Sequence, residues 1–290
     1  MKSSEIAEFV QGELIGEDVE IKKYSSLSSL ENYSVVFAKK YSSIYLDVLS
    51  KAQNVLAIVC EDYRGKLKIP HIVSPNPRLD YLRVVSEFFV QPEIAAGVHP
   101  TATVEEGAVL GKSVSIGAHC YIGSKVSIGD NTTILPNTSI YGKVTIGENC
   151  YIKPGVVIGG PGFGFEYDEN EVPVHFPHTG EVIIGNHVYI GSNTTIDRAT
   201  IDATIIKDNV KIDNLVHIAH NCIIEENALV ISGAVLCGGV TIGKNSWISP
   251  NSSIHQKLII GDHSTIGMGS VVLKKVKSGE IVFGNPASKL

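Results

Sequence analysis

The chain has 290 residues, with 24 Lys and Arg against 30 Asp and Glu, a formal net charge of −6. That is length for one large or two ordinary domains with a sizeable core. The acidic balance argues against a protein that coats nucleic acid or an anionic membrane. No apolar run approaches the roughly 18 residues of a transmembrane helix, and the opening MKSSEIAEFVQGEL carries acids where a signal peptide would be apolar. The expected location is therefore the cytoplasm. The five cysteines at 60, 120, 150, 222 and 237 form no CxxC pair, which fits a reducing compartment.

In chain order, residues 5–12 carry a short helical pattern, and Val55–Cys60 (VLAIVC) reads as a buried strand. Asn76-Pro77-Arg78, followed by Leu79, Leu82, Val85 and Phe89, reads as a helix opening with Pro near its first turn. Residues 1–97 are expected to form a small α/β domain.

From Val104 the texture changes. An aliphatic residue recurs every six positions through Leu110, Ile116, Ile122 and onward to Ile158. The phase breaks, resumes at Ile184, Ile190 and Ile196, breaks again, and runs from Ile206 to Val272. Twenty-five hexads result. The residue two before each aliphatic is small or modest, as at Ala102, Cys120, Thr132, Cys222 and Ser246; only Leu258 is large. Two inward positions two apart belong to one strand face. Gly follows the aliphatic at many turns and is expected to supply a corner conformation closed to most residues. One short strand and one corner per six residues close as a triangle. This predicts a mainly β protein whose residues 98–273 form a left-handed parallel β-helix of about eight coils. It is broken by an inserted loop at 160–180 and followed by a short tail at 274–290. Cys120, Cys150 and Cys222 fall in the small inward slot and read as buried small hydrophobes.

The richest segment for chemistry is Lys211–Cys222, KIDNLVHIAHNC, with Asp213, Asn214, His217, His220 and Asn221. Ile212, Val216, Ile218 and Cys222 take the inward slots, so both histidines lie off the core. Histidine is the side chain suited to proton transfer near neutral pH. Residues eighteen apart stack one coil above each other, which places Gly238 over His220. A glycine there leaves space and an approachable N–H for an oxyanion. The string GGPGFGF (159–165) lacks the following helix of a phosphate loop. Phe163, Phe165, His175 and His178 lie in the insertion, where substrate contact is the functional reading and plain surface loop the structural one. His217 and His220 form HxxH off a helix, which is not the helical zinc spacing; no metal is expected. Outward Leu135, Tyr141 and Trp247 suggest burial against neighbouring copies.

GFGF (162–165), VIIG (182–185), TTIDR (194–198) and above all IDNLVHIAHN (212–221) resemble the UDP-3-O-acylglucosamine N-acyltransferases of lipid A biosynthesis. NPRLDY (76–81) extends the resemblance into the N-terminal region. The resemblance implies a homotrimer with active sites between subunits and transfer of a 3-hydroxyacyl chain from acyl carrier protein to a glucosamine amine. It assigns His220 as catalytic base, Asp213 as the acidic residue before it and Gly238 as the oxyanion glycine. It implies that Phe37 and Tyr41 hold the nucleotide base, in a shortened segment that lacks the family's Asn. His255 stands near the position of a second family histidine, which Lys257 occupies. Pro161 and Ala199 replace the family's Asp and Gly. The family's C-terminal helices are absent, and GNPAS is similar to the ending of coenzyme-A-dependent hexapeptide transferases. The close alternative is a short-chain acyl-CoA-dependent transferase acting on an amino-deoxy sugar nucleotide for surface polysaccharide. Either way no cofactor is tightly bound, and the donor thioester rides on coenzyme A or on the phosphopantetheine of a carrier protein. A zinc hydro-lyase needs three histidines converging across an interface, and an ice-binding solenoid needs a flat Thr ladder; the varied outward residues argue against the latter.

Overall fold

The computed structural model describes residues 1–289, which divide into two compact units, Met1–Glu93 and the chain from Ile94 onward. In the first unit, α1 (Ser3–Phe9) precedes β1 (Leu14–Ile15), β2 (Lys23–Tyr24) and β3 (Ser34–Ala38). Then come α2 (Ser43–Ser50), β4 (Leu56–Val59), β5 (His71–Val73) and α3 (Pro77–Phe88). The strands form one sheet in the order β1-β5-β4-β3-β2. β2 through β5 run parallel, and β1 is antiparallel to β5. The VLAIVC run is apolar throughout because all four residues of β4 are buried, as expected of a parallel strand covered on both faces. α3 starts at Pro77 because Asn76 accepts from the Leu79 amide and Pro needs no partner at the first turn.

The second unit is a solenoid of short parallel strands stacked into three faces. The faces hold nine, eight and eleven strands. The stack is thus longer than the eight coils read from the hexads. Gly97–Val98 at the start extends the hexad phase one unit before Val104, and Ile281–Phe283 at the end joins the same face out of phase, Val282 pairing with Ile266. The tail segment also adds Ser288–Lys289, antiparallel to Ile281–Phe283.

The hexad aliphatics line one continuous core, most of them fully buried. Each such side chain contributes roughly 1.5–3 kcal/mol of transfer free energy. The small slot below them carries buried hydroxyls, each matched. Thr132 donates to the Gly147 carbonyl at 2.9 Å, Thr194 to Asp213 at 2.9 Å and Ser246 to Gly261 at 2.8 Å. Cys222 sits in the same slot, and burial pushes its thiol up to about 12, so it is a packed hydrophobe.

The repeated glycines do a different job from the one expected. Left-handed backbone falls three residues after the aliphatic, chiefly on Asn: Asn131, Asn149, Asn193, Asn221, Asn245. The glycine directly after the aliphatic is needed because the next coil is too close. A methyl at Gly129 would lie 2.6 Å from the Gly147 carbonyl carbon, and one at Gly191 would lie 2.3 Å from the Asn214 nitrogen. Leu135, read as outward, is buried at 3% exposure; it belongs to a corner beneath the next coil. Trp247 remains 44% exposed on its face.

Both phase breaks are insertions at one edge of the stack. Ile158 pairs with Ile196 and Ile196 with Ile218, steps of 38 and 22 where the regular coil takes 18. The first break is not an irregular loop. Phe165–Tyr167 and Pro173–His175 pair as an antiparallel hairpin, closed by Asp168, whose carboxylate accepts from the Asn170 and Val172 amides.

Candidate active site

Ile218 is drawn into the core, so the following corner turns His220 outward at the edge where both insertions emerge. Asn221 takes the left-handed conformation, φ 58°, which folds its side chain back over the corner. Asn221 Oδ1 accepts from the Thr200 amide at 3.1 Å, which identifies that atom as the oxygen. The same oxygen lies 2.9 Å from His220 Nδ1. Nδ1 therefore carries the proton, and Nε2 holds a free lone pair.

One coil on, Gly238 faces that lone pair. A methyl at Gly238 would stand 2.6 Å from both Nε2 and Cε1 of His220, so no larger residue fits. The neighbouring Gly239 amide donates to the His220 carbonyl and the Lys257 amide to the Gly238 carbonyl. These bonds fix the Gly238 peptide over the imidazole, and no acceptor among the described residues engages the Gly238 amide itself.

The hairpin insertion closes the other side. Gly162 packs so tightly that a methyl there would lie 3.1 Å from His220 Cδ2 and 2.9 Å from His178 Nε2. Rings run inward in sequence: Phe163 to Phe165 at 4.9 Å, Phe165 to His175 at 5.4 Å, His175 to His178 at 6.2 Å and His178 to His220 at 5.1 Å. Phe163 is 88% exposed and His178 is 3% exposed. Arg198 anchors this cap, donating from Nε to the His178 carbonyl at 2.8 Å and from Nη1 to Gly159 at 3.3 Å.

The carboxylate beside the histidines is Asp197. Its Oδ2 lies 3.9 Å from His217 Nε2, and His217 Nδ1 pairs with Thr195 Oγ1 at 2.8 Å. Burial pushes the Asp197 carboxyl up, while His217, His220 and His178 pull it back down. Asp213 is held elsewhere, its carboxylate accepting from the Asn214 and Ser232 amides. Asn214 Oδ1 accepts from Ser192 at 2.7 Å, a coil-to-coil bond. His255 is exposed and its Nδ1 meets only the Gln256 carbonyl, at 3.3 Å.

In the first unit, Phe37 lines a cleft of about 490 Å³ with Ser25, Ser26, Lys39, Lys40 and Tyr45. Phe37 also packs on Tyr81 at 4.8 Å. Tyr41 instead packs on Tyr63 at 5.1 Å, with Lys66 over its face at 4.2 Å. The structure thus offers Tyr45 rather than Tyr41 beside Phe37.

Asp197, Arg198 and Tyr45 are absent from the sequence-derived candidates. A signal for the first two existed, since both open the second phase break, directly after Ile196, where the chain departs from the regular coil.

Stacked six-residue units of this kind place the chain among the hexapeptide-repeat transferases. The sequence matches bacterial transferase hexapeptide (six repeats) over residues 125–160 and 239–274, and the hexapeptide repeat of succinyl-transferase over 181–217. A UDP-3-O-acylglucosamine N-acyltransferase of Campylobacter lari is 33% identical over 99% of this chain and 93% of its own. Its counterpart in Bordetella pertussis is 32% identical over 88% and 78%. Among solved structures, a UDP-N-acetylglucosamine acyltransferase from Campylobacter jejuni has a TM-score of 0.61 at 28% identity, covering 67% of this chain and 74% of its own. The corresponding enzyme from Francisella novicida has a TM-score of 0.61 at 29% identity, covering 67% and 70%. The chain belongs to the UDP-3-O-acylglucosamine N-acyltransferase family, and it is an acyltransferase. Among the described residues no helix is long and apolar enough to cross a membrane.

Proposed function

We propose that the chain transfers an acyl group from a thioester to the amine of a UDP-linked glucosamine in lipid A biosynthesis. The observation that carries the mechanism is the fixed tautomer of His220: Asn221 holds its Nδ1 proton and leaves Nε2 as an acceptor beneath Gly238. Nε2 takes a proton from the amine as the amine attacks the thioester carbon. The carbonyl oxygen becomes an oxyanion, and the free Gly238 amide donates to it. Collapse forms the amide and expels the thiolate, which regains a proton from His220. No covalent enzyme intermediate is required. Asp197, set behind His217 and His220, favours the imidazolium that forms in the first step.

This reading takes the coil as left-handed and the working form as a homotrimer that covers outward side chains such as Trp247 and Val235. It seats the nucleotide base in the Phe37 cleft, whose volume suits a nucleoside. The donor is a 3-hydroxyacyl chain on acyl carrier protein, with coenzyme A as the alternative carrier. Support for the amine as acceptor comes from relatives that span nearly the whole chain and are named for N-acyl transfer.

A direct assay offers UDP-3-O-acylglucosamine and UDP-N-acetylglucosamine with hydroxyacyl carrier protein or with acyl-CoA. Amide product from the first acceptor and the carrier protein is expected. Ester product from the second acceptor alone would overturn the assignment. Amide formed only from a short acyl-CoA would move the donor to coenzyme A.

A further inference from the structure

His178 is a buried histidine that the transfer mechanism above does not use. Its Nδ1 lies 2.8 Å from the Phe176 carbonyl, an acceptor, so Nδ1 carries the proton. Nε2 is then a lone pair, fully buried and without any hydrogen-bond partner. A buried unpaired acceptor destabilises the fold, and the fold has specific means of holding it there. Arg198 grips the His178 carbonyl. Gly162 and Gly164 make room, since methyls there would lie 2.9 Å from Nε2 and 2.8 Å from Cε1. What the ring faces is His220, edge to face, with centroids 5.1 Å apart and planes at 72°.

We propose that His178 is a positioning residue for the base: a neutral imidazole whose Nε2 lone pair favours His220 in its protonated form. The inference rests on the functional reading above and deepens it. While His220 is neutral, the lone pair is idle. When His220 takes the amine proton, its ring becomes strongly positive, and the unpartnered lone pair of the ring packed against it, centroids 5.1 Å apart, is already in place to attract it. Preorganised dipoles of this kind act without reorganisation at the moment of reaction. The other ionisable groups around the pair are Asp197 and Arg198 on the Thr195–Arg198 strand, His217 on the adjacent coil and His175 on the hairpin. Asp197 also favours the imidazolium, so the two effects have the same sign. Arg198 is turned to carbonyl oxygens.

The test compares His178→Leu, which keeps bulk and loses the acceptor, with His178→Gln, which keeps an acceptor oxygen. His178→Leu is expected to lower kcat about tenfold with KM changed less than about twofold, and to move the acid limb of kcat/KM to lower pH. His178→Gln is expected to stay within about threefold of wild type. A wild-type kcat in His178→Leu, an acid limb moved to higher pH, or equal losses in both variants with unchanged melting would each overturn the proposal. A readout that needs no His178 variant is the ¹⁵N shift of His178 Nε2 in the wild-type chain. It should respond to protonation of His220 and lose that response in His220→Ala; a shift indifferent to His220 overturns the proposal. Failure of the acyl-transfer reading would show separately, as wild-type protein that forms no amide, and would leave the nitrogen shifts unaffected.

Discussion

Two regions of this chain bury polar groups under opposite rules. In the regular coils, every inward hydroxyl named above donates to a carbonyl at ordinary distance, as Ser252 does to Ser249 at 2.7 Å and Ser264 to Lys277 at 2.9 Å. At the capped edge, His178 Nε2 is buried with no partner, Asp197 is half-buried beside imidazoles, and the Gly238 amide is open. The inward hydroxyls of the coils have their partners, and the capped edge leaves a buried acceptor without one. That difference suits the edge to chemistry, because open groups beside His220 can be completed by a substrate or a developing charge.

The contrast can be broken from the coil side first. Ile254→Ala, in a fully buried hexad position away from the insertions, should cost about 2–5 kcal/mol of stability. Enzyme that remains folded should keep its turnover. Thermal melts alongside kcat measurements decide it, and a large kcat loss at full stability would erase the division of labour. Gly191→Ala should cost about 1–3 kcal/mol through overpacking, since its methyl meets the Asn214 backbone at 2.3 Å. A neutral result in a denaturant series would return that glycine to a conformational role. Ser252→Ala should cost about 1 kcal/mol, the net of one satisfied bond.

The smallest expected effect has a sign. Burial raises the folded-state affinity of Asp197 for its proton above the unfolded one. The ionised carboxylate therefore lowers stability, and the loss grows as pH climbs from the ordinary carboxylate range to the raised value. Asp197→Asn should melt roughly 2 °C or less above wild type near pH 7, with the margin vanishing below about pH 4. Melting curves across that window check the slope. A margin independent of pH would place Asp197 outside this account.

The hexads were legible because the core demands one aliphatic and one small residue per strand, over and over. The site was legible in part. IDNLVHIAHN points to His220, and the eighteen-residue stack points to Gly238. The glycine corners were misread because close approach between coils and left-handed backbone leave the same residue in the sequence; only coordinates separate Gly191 from Asn193. Leu135 was misread because the hexad rule describes strand faces and not corners. Asp197, Arg198 and His178 are brought to His220 by two insertions whose course no periodic rule describes. The N-terminal unit has no repeat to read, so Tyr45 beside Phe37 emerged only from the fold.

The most direct test of the central claim is single-turnover amide formation by wild type and His220→Ala, with hydroxyacyl carrier protein and UDP-3-O-acylglucosamine both saturating. If His220 Nε2 is the base, the variant binds both substrates and forms amide about 10²–10⁴-fold more slowly. Amide formation at the wild-type rate would contradict the account.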